Sequence, residues 1–399
     1  MDLKSGYPFW PVKNGLLHTY PALHKDLTCD VVVIGGGITG ALVAYHLAEA
    51  GMETVVLDKR HIAWGSTSAT TALLQYEIDT PLCDLIEMVG EDHAVRSYLA
   101  CADAIDKIAA LVKKIGNECG FVRKSSLYLA SYKSHAPALK REYAARKKHG
   151  IRLEWLDQQQ IEARWPFRRP AALLSEKGAQ VDAYQLAHAL LQAGIQTGLQ
   201  VYDRSEVTKI DHSPRRVHLT TEHGAKITTK KIVFACGYES QKYLKRQVAQ
   251  LISTYALASE PLDTSSWPDG SLIWESARPY LYLRTTEDGR VIMGGEDEEF
   301  TDPTARDKLI PRKTARLQRK FQALFPHLEM EVAFSWAGTF GETKDGLAYI
   351  DKSPDLPNAW FALGYGGNGI TYSVLAAEII RDAILDKPNP YADLFRFER

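Results

Sequence analysis

Gly35, Gly37 and Gly40 stand directly after the apolar run 31–34 with G-x-G-x-x-G spacing, the arrangement that turns a strand into a helix around a pyrophosphate. Their chemistry is anion binding by backbone. The first glycine permits the tight turn, the second lets amides approach the phosphates, and the third lets helix and strand pack closely. Ile38 and Thr39 fall in the first helical turn, where unsatisfied N–H groups and the positive end of the dipole face the ligand. Ala44 and Leu47 carry the helix toward Gly51, Thr54–Leu57 reads as a second strand, and Asp58 closes it. An acid about 20 residues beyond the first glycine accepts from ribose hydroxyls and disfavours a phosphorylated ribose, which argues against NADP. The alternative, a glycine turn of structural use only, does not account for the strand–turn–helix–strand–acid order.

The same spacing recurs at Gly364, Gly366 and Gly369, between a short strand and a helix. A second dinucleotide unit would need another strand ending in an acid, and this helix runs instead into Asp386-Lys387-Pro388. The loop Gly366, Gly367, Asn368, Gly369 and Ile370 is therefore expected to present a helix N-terminus to another part of the same cofactor. One dinucleotide and no nicotinamide domain points to a tightly held redox group, FAD.

Composition sets the frame. A chain of 399 residues with 45% hydrophobic and 24% charged residues can bury the cores of two domains. Its 48 Lys and Arg against 49 Asp and Glu leave no bulk charge to draw nucleic acid or anionic lipid. The basic cluster 141–148 (REYAARKK) reads as a solvated helix face. No apolar run is long enough to span a bilayer, and the polar, proline-containing start is unlike a signal peptide, so the default expectation is cytoplasmic. Five cysteines without a C-x-x-C pair and 12 scattered histidines argue against structural disulfides and any metal site.

The elements that must position these residues emerge from periodicity. An N-terminal arm with Phe9 and Trp10 is expected to pack on the surface and cover an edge. Helices are expected over 91–119, 135–148, 184–193 and 311–324, and from the second glycine loop to about 385. Strands are expected over 121–131, 200–210, 217–221, 226–229, 231–236, 332–336 and 360–363, with several more between 251 and 293. The fold class is α/β: a Rossmann-like FAD-binding domain on a parallel sheet, joined to an α+β substrate domain on a largely antiparallel sheet. The FAD-binding domain is expected to comprise 1–90, 170–248 and 338–399, and the substrate domain 91–169 and 249–337.

Four motifs in order, VVVIGGGITG with LDKR, IAWGSTSATTALLQ, QVDAYQLAHALL leading to SEVTKI and IVFACGYES, and KDGLAYI with FALGYGGNGIT, resemble the FAD-dependent D-amino-acid oxidase, glycine oxidase and sarcosine oxidase family. The resemblance spans about 30–381. The arm with FW and YPAL, and the GSTSATTA segment, look most like the γ-glutamylputrescine oxidoreductase branch and relatives bearing an iron–sulfur domain. No such domain is expected here, because the chain carries no Cys/His cluster. The resemblance implies that Gly35, Gly37, Thr39 and Gly40 hold the pyrophosphate and that Asp58 and Lys59 flank the adenosine. It places Ser66, Thr67, Ser68, Thr70 and Thr71 on the flavin side, where the alternative is a solvated threonine loop. Val207 would meet the adenine through its backbone, Ala235 and Gly237 would close over the ribityl chain, and 366–370 would face the flavin ring. No residue stands out for covalent attachment, so noncovalent FAD is expected.

One departure bears on substrate. Where the family's amino-acid oxidases carry an arginine for the substrate carboxylate, this chain has Trp336-Ala337-Gly338-Thr339-Phe340, and Phe340 cannot pair with a carboxylate. Arg284, on the strand face of Tyr280 and Tyr282, could take that work or be structural. Tyr255, Tyr282, Arg284, Trp336 and Phe340 are the candidate substrate walls, with ordinary core as the alternative. The expected reaction is hydride transfer from the carbon beside a neutral amine to flavin N5, with oxygen or an electron carrier as acceptor and neither nucleic acid nor an integral membrane segment involved. Two alternatives stay open: oxidation of a 2-hydroxy acid or polyol, and a non-catalytic FAD-binding subunit of a larger complex.

Overall fold

The computed structural model describes residues 2–399. Two sheets organise the chain. In the first, Leu27–Ile34 is flanked by parallel neighbours Lys226–Phe234 and Thr54–Leu57, which in turn pair in parallel with Ala359–Leu363 and Gln200–Tyr202. Ile34 is in register with both Leu57 and Phe234, so three strands end at one level, beside the first glycine turn. These strands read as near-continuous Val/Ile/Leu because both faces are covered. The hairpin Val207–His212 and Val217–Thr221 extends from Lys226–Phe234. The expected strands 226–229 and 231–236 are thus one strand, and 200–210 is two.

Among the described residues the second sheet has ten strands, antiparallel except where Leu272–Glu275 runs parallel to Val122–Leu129. Its order runs from the arm's Lys4–Gly6 through Val332–Glu342, Gln250–Ser259, Val291–Glu298, Leu281–Thr285, Leu272–Glu275, Val122–Leu129 and Ala171–Gln180 to Leu73–Gln75. The sheets partition the chain differently from the expected segments. Leu73–Gln75 and Ala171–Gln180, placed by sequence with the FAD-binding part, belong to the second sheet, where they pair with each other and the longer one pairs with Val122–Leu129. Glu91–Lys114, placed with the substrate part, packs on Gly369–Ile384. The sequence AALLSEKGAQ does not alternate, which hid the longer of those strands.

Ile38–Glu49 is buried on almost every side, because Ala183–Ile195 and Gly369–Ile384 pack against it as well as the sheet. Pro303–Leu324 begins about two turns before the expected start. Asp302 caps it by accepting from the Ala305 amide at 2.7 Å, and Pro311 lies inside the helix.

The arm covers an edge. Lys4–Gly6 pairs with Val332–Glu342, Phe9 and Trp10 are buried, and the Trp10 indole donates to the Thr70 carbonyl at 2.6 Å. Trp10→Ala should cost about 3–5 kcal/mol, read as a lower denaturation midpoint with faster loss of bound flavin. An unchanged midpoint would mean that the arm is dispensable.

Candidate functional site

Each glycine of the first turn has a distinct geometric reason. Gly35 has φ +104° and donates to the Leu57 carbonyl at 2.8 Å, and a Cβ there would lie 2.6 Å from the Ala235 oxygen. At Gly40 a Cβ would lie 1.7 Å from the Gly35 oxygen, so only glycine lets the helix sit this close. Gly37 precedes the helix, and a Cβ on it would meet only the Thr67 hydroxyl, at 2.9 Å. That hydroxyl accepts from the Ile38 amide at 2.9 Å, and the Thr39 and Ser373 hydroxyls are 2.7 Å apart.

Asp58 accepts from the Gly36 amide at 2.7 Å and from the Arg60 amide at 2.8 Å. Each oxygen keeps acceptor capacity for a ribose hydroxyl. Burial, partly offset by those amides, pushes its carboxyl up to about 6. Lys59 and Arg60 pair with Glu239 at 2.8 and 2.9 Å, closing this end.

A cavity of about 510 Å³ leads from here between the two sheets. Of the expected cofactor residues, Gly35, Gly37, Ile38, Thr39, Asp58, Lys59, Ser66, Thr67, Thr70, Thr71, Val207, Ala235, Gly237 and Gly366 to Ile370 all line it. Gly40 lies beneath the turn, and the Ser68 hydroxyl turns back to the Gly65 carbonyl at 2.8 Å. Beyond the second glycine turn the wall becomes aromatic: Tyr238, Tyr280, Tyr282 and Phe340. The Tyr280 and Tyr282 ring centroids are 5.4 Å apart.

Three expected substrate-wall residues lie outside the cavity. Arg284 is buried, donates from one guanidinium nitrogen to the Ala72 and Val181 carbonyls at 2.8 and 3.1 Å, and lies 5.2 Å from the Trp10 ring. Burial pulls its pKa down to about 9. Trp336 donates to the Ala69 carbonyl at 2.8 Å. Tyr255 sits in the core under Lys313, whose ammonium is 5.3 Å from its ring. All three are buried under other segments of the chain and do not reach the cavity.

Sequence reading missed the segment 75–79 and Arg146. Asp79 accepts from the Gly367 amide at 2.7 Å, and a Cβ on Gly366 would fall 2.1 Å from the same oxygen. The Asn368 amide group donates to the carbonyls of Gln75 and Glu77 at 3.0 and 2.9 Å, stapling this segment to the glycine turn. Burial raises the Asp79 pKa, against the Gly367 amide and Arg278. Arg146, read as part of a solvated face, is 1% exposed and bonds Glu142 at 2.6 Å. Its i, i+4 spacing from Glu142 was the one signal in the sequence, and an exposed pair gives the same signal.

A glycine turn opening a helix, an acid at the end of the adjacent strand and a second helix N-terminus surround one cavity, the arrangement of a two-sheet dinucleotide-binding protein. The chain belongs to the DAO family of FAD dependent oxidoreductases, which matches residues 30–383. Its cofactor is therefore FAD, and the glycine cradle, Asp58 and the two helix N-termini fit that group. A Bacillus subtilis protein named for a Rieske 2Fe-2S iron-sulfur centre is 26% identical, the match covering 97% of this chain and 74% of that one. Gamma-glutamylputrescine oxidoreductase of Escherichia coli is 26% identical over 92% of this chain and 85% of its own. The crystal structure of glycine oxidase from Geobacillus kaustophilus shares the fold, with a TM-score of 0.76 at 20% identity over 93% of this chain and 99% of that one. No helix among the described residues is long and apolar enough to cross a membrane.

Asp58→Ala should weaken FAD binding about tenfold to a hundredfold, since a hydrogen bond to a charged group is worth roughly 1.5–3 kcal/mol. If Asp58 accepts from the ribose, it does so as the ionised carboxylate, and burial raises its pKa to about 6. Affinity should accordingly be full above that value and fall about tenfold by pH 5. Flavin titrations at graded pH check both, and a flat profile would remove Asp58 from the site.

Arg284→Ala should act on stability, lowering it by about 2–4 kcal/mol through two orphaned carbonyls. The ranking of acidic against neutral substrates should stay as in the wild type. A selective loss of acidic substrates would return Arg284 to the pocket.

Proposed function

We propose that this protein oxidises the C–N bond of an amine, taking hydride from the carbon beside a neutral nitrogen and releasing an imine that water hydrolyses. FAD, when bound, supplies the hydride acceptor at N5. The observation that carries the reading is the aromatic wall of the cavity, Tyr238, Tyr280, Tyr282 and Phe340, with Phe340 at the position where the resemblance to the family's amino-acid oxidases implies a carboxylate-binding arginine. Burying a carboxylate beside Phe340 without a partner would be costly, whereas an uncharged amine enters an aromatic wall at little cost.

In this reading Tyr282 and Phe340 exclude water and orient the C–H bond, while the threonine loop 66–71 fixes the opposite wall. The N-terminus of Gly369–Ile384 offers a positive dipole end to charge developing on the cofactor. No acid–base side chain is required when the amine reacts in its neutral form. The names of the gamma-glutamylputrescine and glycine enzymes support a C–N substrate. The electrons then pass to oxygen or to a carrier.

Anaerobic mixing with panels of amines, amino acids and hydroxy acids tests this directly. Amines with longer or bulkier substituents should bleach the flavin band fastest, and glycine, sarcosine and D-alanine should be slow. Bleaching by hydroxy acids alone would make the protein an alcohol-oxidising enzyme, and bleaching by no donor would make it a cofactor-binding subunit.

A further inference from the structure

The same cavity carries charged side chains to which the glycine cradle gives no role. Glu77, Asp84 and Glu275 line the cavity with two guanidiniums, Arg146 and Arg278. Arg278 and Asp84 stand exposed at the mouth. Deeper, Arg146 is shared by two carboxylates: it bonds Glu142 at 2.6 Å and lies 3.6 Å from Glu77. Glu142 also accepts from the Leu82 and Cys83 amides at 2.8 and 2.9 Å, so both its oxygens are engaged. The Arg146 guanidinium lies 5.5 and 5.4 Å from the Tyr76 and Tyr98 rings, whose faces cover it.

Glu77 has no such cover. Its side chain is 2% exposed and burial raises its pKa; among the described residues its Oε2 has no hydrogen-bond partner, nor has the neighbouring Arg146 Nη2, although the Ser126 hydroxyl is a neighbour of the carboxylate. A buried carboxylate oxygen left without a donor costs several kcal/mol, and one guanidinium cannot neutralise two carboxylates. The stacked pair Tyr128 and Trp274, 3.7 Å apart, forms an apolar wall of the same cavity.

We propose that this charged part of the cavity is a second subsite, which receives an ammonium group carried by the substrate at its end remote from the reacting carbon, with Glu77 as its principal acceptor. The stacked Tyr128 and Trp274 form one wall along the intervening methylene chain. The inference rests on the amine reading above and names its substrate class: amines with a second, cationic end.

Linear amines of graded length ending in methyl, ammonium or carboxylate, such as 1-aminobutane, 1,4-diaminobutane and 4-aminobutanoate, separate the possibilities. Binding to the FAD-loaded enzyme is read as the rise in melting temperature with ligand concentration, and turnover as anaerobic flavin bleaching. Ammonium-ended amines of matching length should bind about tenfold or more tightly than methyl-ended ones, and carboxylate-ended ones most weakly. In Glu77→Gln the ratio of ammonium-ended to methyl-ended binding should collapse toward one. The wild-type series decides the matter even if that variant fails to fold. Equal binding of ammonium and methyl ends, or tightest binding of the carboxylate end, overturns the subsite while leaving amine oxidation standing. Failure of every amine to bleach the flavin overturns amine oxidation, and the melting shifts then judge the subsite on binding alone.

Discussion

The loop 66–72 forms one wall of the cofactor cavity, and it is held by three donors reaching its carbonyls from elsewhere. Trp336 takes Ala69, Trp10 takes Thr70 and Arg284 takes Ala72, at 2.8, 2.6 and 2.8 Å. Each formed bond contributes only about 0.5–3 kcal/mol, but each carbonyl left buried without a donor would cost about 1–3 kcal/mol. The donors come from the N-terminal arm and from two strands of the second sheet. This wall of the cavity therefore depends on the second sheet, and the two sheets are locked together through the loop between them.

The two glycine turns are built alike. In each, a carboxylate from a separate segment accepts a loop amide at 2.7 Å: Asp58 from Gly36, and Asp79 from Gly367. A side chain on Gly366 would displace Asp79, as one on Gly40 would displace the first turn. These carboxylates set the turns before any ligand arrives. The amides at the helix starts are then aimed by the protein, and little reorganisation is left to the cofactor.

Much of this was legible in the sequence wherever local spacing and tertiary role coincide. The run from Val31 to Asp58 encodes strand, turn, helix and acid in consecutive residues, and the second glycine loop could be separated from a nucleotide unit because its helix leads to Asp386-Lys387-Pro388 and not to another strand. Elements defined by partners rather than by pattern were hidden. Leu73–Gln75 is too short to show alternation, Ala171–Gln180 does not alternate, and the segment 75–79 enters the cavity only because Asn368 and Gly367 hold it there.

The two arginines show why the substrate end was harder to read. Arg284 lies two residues from Tyr282, and the two-residue period of a strand puts their side chains on one side of the sheet. Parity does not say what lies over that face. Toward Tyr282 it opens on the cavity, whereas at Arg284 it is roofed by Trp10 and the carbonyls of Ala72 and Val181. Arg146 reverses the case, since a basic run promises solvent but one turn of it is pressed between Tyr76, Tyr98 and two carboxylates. A guanidinium can be buried only where carbonyls, carboxylates or aromatic faces meet it. For Arg284 those partners complete a wall, and for Arg146 they leave Glu77 with an oxygen unmatched in the cavity wall.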